Sequence, residues 1–116
     1  MFVFADDIFL SENGGKDTEQ GREIYSGGFS FGPYWSVPKG CYMVTISGSN
    51  IPDRTDISIY SDGGTCRYEY IITESSAEVI TLIFPLDKDV SDLEIFISNS
   101  SDENAVLSSI TMTGLK

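Results

Sequence analysis

The sequence predicts an all-β domain, an antiparallel β-sandwich of jelly-roll type with about eight or nine strands. Three observations predict it. Short apolar stretches with a period of two recur along the chain, the mark of strands with one buried face. Turn signals rich in Gly, Pro, Asn and Asp separate these stretches at short intervals. Before residue 30 nothing shows helical periodicity. The chain of 116 residues is the size of one domain, spanning 1–116, and its 41% hydrophobic content with seven Phe and six Tyr is enough for a core.

The elements follow in order. Phe2 to Phe4 and Asp7 to Leu10 read as one short strand with a break near Ala5. The next stretch, SENGGKDTEQG, is polar and contains Asn13-Gly14-Gly15, which suits a loop or hairpin tip. Arg22 to Ser26 is a short strand with Ile24 inward, and Gly27-Gly28 releases the chain toward Phe29. The stretch Phe31 to Gly48, FGPYWSVPKGCYMVTISG, organises the rest. It reads as an arriving strand, a turn at Val37-Pro38-Lys39-Gly40 and a long departing strand with Tyr42, Val44 and Ile46 on one face. Pro33 and Pro38 stand at strand starts and edges, where a missing N–H is tolerated.

Residues 49–53 make a turn, and Asp56 to Ser61 resumes a strand with Ile57 and Ile59 on one face. Asp62-Gly63-Gly64 closes a hairpin into a long strand, Thr65 to Thr73, which turns again at Glu74 to Ser76. Glu78 to Phe84 is apolar on both faces and therefore central, and Pro85 is expected to end it. Asp87 to Asp92 is a polar loop or a single helical turn. Leu93 to Ser98, with Leu93, Ile95 and Ile97 inward, and Ala105 to Thr113 are the last two strands, joined by a polar turn.

Composition narrows the function classes. Eighteen acidic residues against seven basic ones give a net charge of −11, and the chain has no histidine. Nucleic acid needs a basic stripe to displace its counterions, and anionic membrane surfaces repel such a chain. No run reaches the roughly 18 apolar residues of a membrane span. MFVFADDIFL lacks a basic n-region, so a cytoplasmic or tethered domain is expected rather than a secreted one. Cys41 and Cys66 either form a disulfide, worth about 3 kcal/mol on the chain-entropy estimate, or remain half-buried thiols; the missing export signal favours thiols.

Catalytic motifs are missing. Serine and cysteine hydrolases need a base beside the nucleophile, usually the histidine this chain lacks. Asp62-Gly63-Gly64 is not followed by the Lys-Ser/Thr of a phosphate loop. Carboxylates are plentiful enough for glycosidase chemistry, but they cluster in turns, where solvated loops explain them. Enzyme activity is not expected.

Gly32, Pro33, Tyr34, Pro38, Gly40, Tyr42, Val44, Ile46 and Gly48 together resemble the pattern of small jelly-roll carbohydrate-binding modules. These include accessory modules of bacterial glycosyltransferases and polysaccharide-assembly proteins. A weaker echo lies in DKDVSDLEIFISNSSDENAVLSSITMT, and the two parts cover about half the chain. The resemblance implies a lectin-like accessory or targeting domain that binds a glycan or polysaccharide without transforming it. Sugar binding needs aromatic faces for the C–H side of a pyranose and directed polar groups for its hydroxyls. Tyr34 and Trp35, beside the Pro38 turn, and Tyr68 and Tyr70 on the Tyr-rich strand are the candidates. If Tyr34 points in, Trp35 points out; core packing competes for all four.

Calcium needs about six to eight oxygens, and three clusters offer them: Asp6 and Asp7; Asp87, Asp89 and Asp92; and Asp102, Glu103 and Asn104. The central triad is the expected metal site if calcium is used, although turn formation explains Asp89 and Asp92 equally well. The rival reading is a structural or protein-interaction sandwich that self-associates or docks on a partner or larger parent protein through an outward patch of Met43, Ile71, Ile83 and Phe96.

Overall fold

The computed structural model describes residues 2–4, 9–10, 14–19 and 21–115. It is an all-β sandwich of two antiparallel sheets. The early strands are short: β1 (Phe2–Phe4), β2 (Phe9–Leu10), β3 (Gly15–Thr18), β4 (Gly21–Ile24), β5 (Phe29–Phe31) and β6 (Pro33–Val37). The long β7 (Gly40–Ser49) is followed by a single helical turn, α1 (Ile51–Arg54), and by β8 (Thr55–Ser61). Then come β9 (Cys66–Tyr68), β10 (Ile71–Ser75), β11 (Val79–Leu86), β12 (Val90–Asn99) and β13 (Ala105–Leu115). The seven-stranded sheet runs β10-β11-β7-β13-β4-β3, with β1 also on β13; the six-stranded sheet runs β2-β5-β12-β8-β9, with β6 also on β12.

The strand count exceeds the eight or nine expected because short segments change sheets. The break expected near Ala5 lies outside the described residues, but its flanks β1 and β2 serve different sheets. Gly15–Thr18, within the expected loop, pairs with β4 as a hairpin, where Asp17 accepts from Arg22 Nε at 2.7 Å. The expected long strand from Thr65 to Thr73 is two strands. β9 belongs to the six-stranded sheet and β10 to the seven-stranded one, with the chain crossing at Glu69 and Tyr70.

Pro85 does not end its strand: it sits opposite Cys41 and β11 continues to Leu86. The register explains this, because β10 pairs only as far as Ile83 and leaves that side of Pro85 without a ladder to break.

Alternation along the long strands builds the core. Val44 and Ile46 of β7, Ile80, Leu82 and Phe84 of β11, and Ile110 and Met112 of β13 line one inner face. Leu93, Ile95 and Ile97 of β12 with Ile57 and Ile59 of β8 line the other. Ile51 of α1 is fully buried among them. Five of the eight β11 positions are buried and only Pro85 is exposed, consistent with apolar residues on both of its faces. Gly48 allows the close approach of β7 to its neighbour β13 beside a register shift, since a Cβ there would lie 1.9 Å from the Val106 carbonyl oxygen. No helix among the described residues is long and apolar enough to cross a membrane.

Candidate functional site

The outer face of the six-stranded sheet carries a continuous row of aromatic rings. On β12 the inward Leu93, Ile95 and Ile97 force Glu94, Phe96 and Ser98 outward. On β8 the inward Ile57 and Ile59 do the same for Asp56, Ser58 and Tyr60, and on β5 the buried Ser30 leaves Phe29 and Phe31 outward. Register then brings them together. Phe96 lies opposite Ser58, Glu94 opposite Tyr60, and Ser98 opposite both Phe29 and Asp56. Phe29 stacks on Phe96 at 5.0 Å and packs on Phe31 at 5.7 Å; Tyr60 meets the other side of Phe96 edge-on at 6.3 Å.

Tyr34 extends the row at its other end, edge-on to Phe31 at 6.4 Å. It is 42% exposed and held at φ 66, a left-handed conformation uncommon for an aromatic residue, next to the kink at Gly32 with φ 106. Its hydroxyl donates to Glu94 Oε2 at 3.2 Å. Partial burial, and then the Glu94 carboxylate, push the Tyr34 phenol above its ordinary range, so it stays a neutral donor at physiological pH. Arg67, opposite Tyr60, closes the far end. Five rings from four strands, with Glu94, Ser58, Ser98 and Arg67 among and beside them, form one surface.

The four aromatic residues expected from sequence separate. Tyr34 joins this row. Trp35 does not: it lies opposite Leu93 and packs against the core, so Tyr34 is the outward member of the pair. Trp35 is partly buried, so Trp35→Ala is expected to destabilise the domain by about 2 kcal/mol, below the loss for a fully buried aromatic. Thermal unfolding measures this, and an unchanged midpoint would contradict the core placement.

Tyr68 and Tyr70 also pack against the core. The Tyr68 hydroxyl pairs with Ser61 Oγ at 2.7 Å, and the Tyr70 hydroxyl donates to the Ile57 carbonyl at 2.6 Å. Burial raises the Tyr70 phenol above its usual range. Both residues, with Arg67 and Glu69, line an open cleft of about 510 Å³ where the chain changes sheets.

Asp87, Asp89 and Asp92 are engaged separately. Asp89 accepts the Lys39 backbone N–H at 2.9 Å. Asp92 accepts the N–H groups of Asp62 and Gly63, both at 2.8 Å, and so fixes the β8–β9 turn, where Asp62, Gly63 and Gly64 all have positive φ. Asp87 is exposed in the preceding loop. Among the described residues no three acidic or cysteine side chains gather in a way that could hold a metal ion. Glu103 pairs with Arg54 at 2.9 Å and Asn104 donates to Glu23 at 2.7 Å, while Asp6 and Asp7 lie outside the described residues.

Cys41 and Cys66 are both free thiols, on strands of different sheets. Lys88 braces the same β8–β9 turn by an ion pair with Asp62, which also accepts from the Cys66 thiol at 3.2 Å. These bonds, Lys88 first, hold the Asp62 carboxyl below the usual carboxylate range. A lowered folded-state pKa means that the contribution is complete above the ordinary Asp value and is lost only as pH falls through the lowered one. A carboxyl titration by NMR should show Asp62 with a midpoint below that of an ordinary Asp, returning upward in Lys88→Met. An ordinary midpoint in the wild-type chain would contradict the ion pair.

The expected docking patch is split between two surfaces. Ile71, Ile83 and Met43 lie side by side in register on the outer face of the seven-stranded sheet, whereas Phe96 belongs to the aromatic row. Sequence reading singled out Phe96 but passed over Phe29, Phe31 and Tyr60. For Tyr60 the signal was an aromatic residue among the polar positions of an alternating strand; Phe29 and Phe31 flank the one buried residue of β5, Ser30, a reversal of the usual pattern that alternation does not reveal.

The two sheets and their strand order define an antiparallel β-sandwich of jelly-roll fold. No family model and no curated protein matches the chain. Among solved structures the chain is similar to the carbohydrate binding module CBM6cm-2 from Cellvibrio mixtus lichenase 5A, in complex with cellotriose. The TM-score is 0.61 over 98% of this chain and 96% of that one, at 14% identity. At that identity the likeness is one of fold.

Proposed function

We propose that the domain is a non-catalytic glycan-binding module, an accessory or targeting unit of a larger bacterial protein, whose site is the aromatic face of the six-stranded sheet. The observation that carries this reading is the row Tyr34–Phe31–Phe29–Phe96–Tyr60, partly exposed and flanked by hydrogen-bonding groups. Ring faces stack on the C–H side of successive sugars while Glu94, Arg67 and the serines hold hydroxyls. The strained backbone at Tyr34 supports it, since such strain is found where a side chain has to be presented in one orientation. An outer sheet face gives no enclosure to exclude water from a scissile bond, which favours binding over catalysis.

The test is a glycan array of the folded domain, run with calcium and again with a chelator. The similar module holds cellotriose, which makes cellotriose the first soluble probe. Asp89 and Asp92 are occupied by backbone N–H groups, so binding is expected to survive the chelator. Loss of binding with the chelator would return attention to the aspartates as calcium ligands. A blank on a broad array would remove the glycan reading.

A further inference from the structure

We propose that the edge strand β10 is a second, separate binding surface, which takes an extended basic segment of another protein as an added strand. β10 has β11 on one side and, among the described residues, no strand on the other; all five of its residues are exposed. A bare edge presents unpaired N–H and C=O groups, and proteins usually guard it with charge, proline or a bulge. Here the guard is partial. A register shift between Ile72 and Glu74 interrupts the ladder, but Ile71 and Ile72 stand beside it uncharged, 71% and 50% exposed.

The side-chain surface agrees with the backbone. Ile71 continues a cross-strand row with Ile83 and Met43. Beside that row, Cys41, Glu69, Tyr70, Ile71, Ile83 and Pro85 line an open, mostly apolar cleft of about 380 Å³, room for an anchoring aliphatic or aromatic side chain. Strand addition uses this combination, with main-chain bonds for affinity and a pocket for alternate side chains.

Charge selects the occupant. Glu69 sits on the cleft, Glu74 lies within β10, and Glu78 follows it in the turn before β11. A second copy of a chain with net charge −11 is repelled, whereas a segment alternating apolar and Lys or Arg residues is attracted. This surface belongs to the sheet opposite the aromatic row, so it stands or falls independently of glycan binding.

The experiment is an NMR titration of the isotope-labelled domain with a short peptide alternating leucine and lysine, beside a leucine–glutamate peptide of equal length. The lysine peptide is expected to give saturable amide shifts confined to residues 71–75, Ile83 and Cys41. Its affinity should fall about tenfold or more in Ile71→Lys, which removes the anchor and sets a like charge against the peptide, the scale of losing an interface anchor. Because Ile71 is so exposed, that variant should keep the wild-type spectrum elsewhere. Three results would overturn the proposal: equal binding of the acidic peptide, shifts scattered over other acidic surfaces, or dimerisation through β10 in the absence of peptide.

Discussion

Phe96→Ala is expected to weaken glycan binding about thirtyfold, roughly 2 kcal/mol, while leaving the domain folded. Phe96 is the centre of the ring row, in contact with Phe29 on one side and Tyr60 on the other. Removing it takes away one stacking surface and leaves both neighbours free to tilt. Its half-buried position on an outer face should limit the stability loss to about 1 kcal/mol, well under the cost of a core truncation. Isothermal titration with an array-positive glycan, paired with thermal unfolding, separates the two effects. Tyr60→Phe keeps the ring and should bind nearly as the wild type does. Undiminished binding by folded Phe96→Ala would take the site off this face.

Phe84→Ala is expected to be the most damaging single change to the fold, costing about 3–5 kcal/mol. Phe84 is fully buried on β11, with ring contacts to Tyr42 at 5.9 Å and Tyr68 at 6.4 Å. It thus ties β11 of the seven-stranded sheet to β9 of the other. Total stabilities of domains this size are about 5–15 kcal/mol, so the variant should lie near the edge of folding. At about 4–8 °C per kcal/mol, its unfolding midpoint should drop by well over 10 °C. Phe84→Leu, which refills most of the volume, should recover much of the loss. A midpoint within a few degrees of wild type for Phe84→Ala would mean that the sheets are not joined through this ring.

Alternation grouped the residues that prove inward on β7, β8 and β12, because one buried face per strand leaves a period of two, whereas on β11, apolar on both faces, it did not say which face is inner. The same alternation implied that Phe96 and Tyr60 face outward. It did not reveal that they are neighbours, because pairing order is set by long-range register, and β12 brings together β5, β6 and β8 from far apart in the chain. Alternation put Tyr34 and Trp35 on opposite faces, as the structure has them, but left open which of the two faces out. The positive φ at Gly32 and Tyr34 turns the chain there, so Tyr34 faces out and Trp35 in. Tyr68 and Tyr70 fall within one expected strand, yet the chain leaves one sheet for the other immediately after Tyr68, and no residue in between signals the crossing. The acidic triad illustrates a different gap. Closeness in sequence suggested shared ligation, whereas Asp89 and Asp92 each fix a separate turn.

The most direct test of the account is to map amide shifts while titrating the folded, isotope-labelled domain with an array-positive glycan. Saturable shifts are expected to concentrate on Phe29, Phe31, Tyr34, Tyr60, Glu94 and Phe96, with β10 and the outer face of the seven-stranded sheet unmoved. Saturable shifts that leave the aromatic row untouched would contradict it.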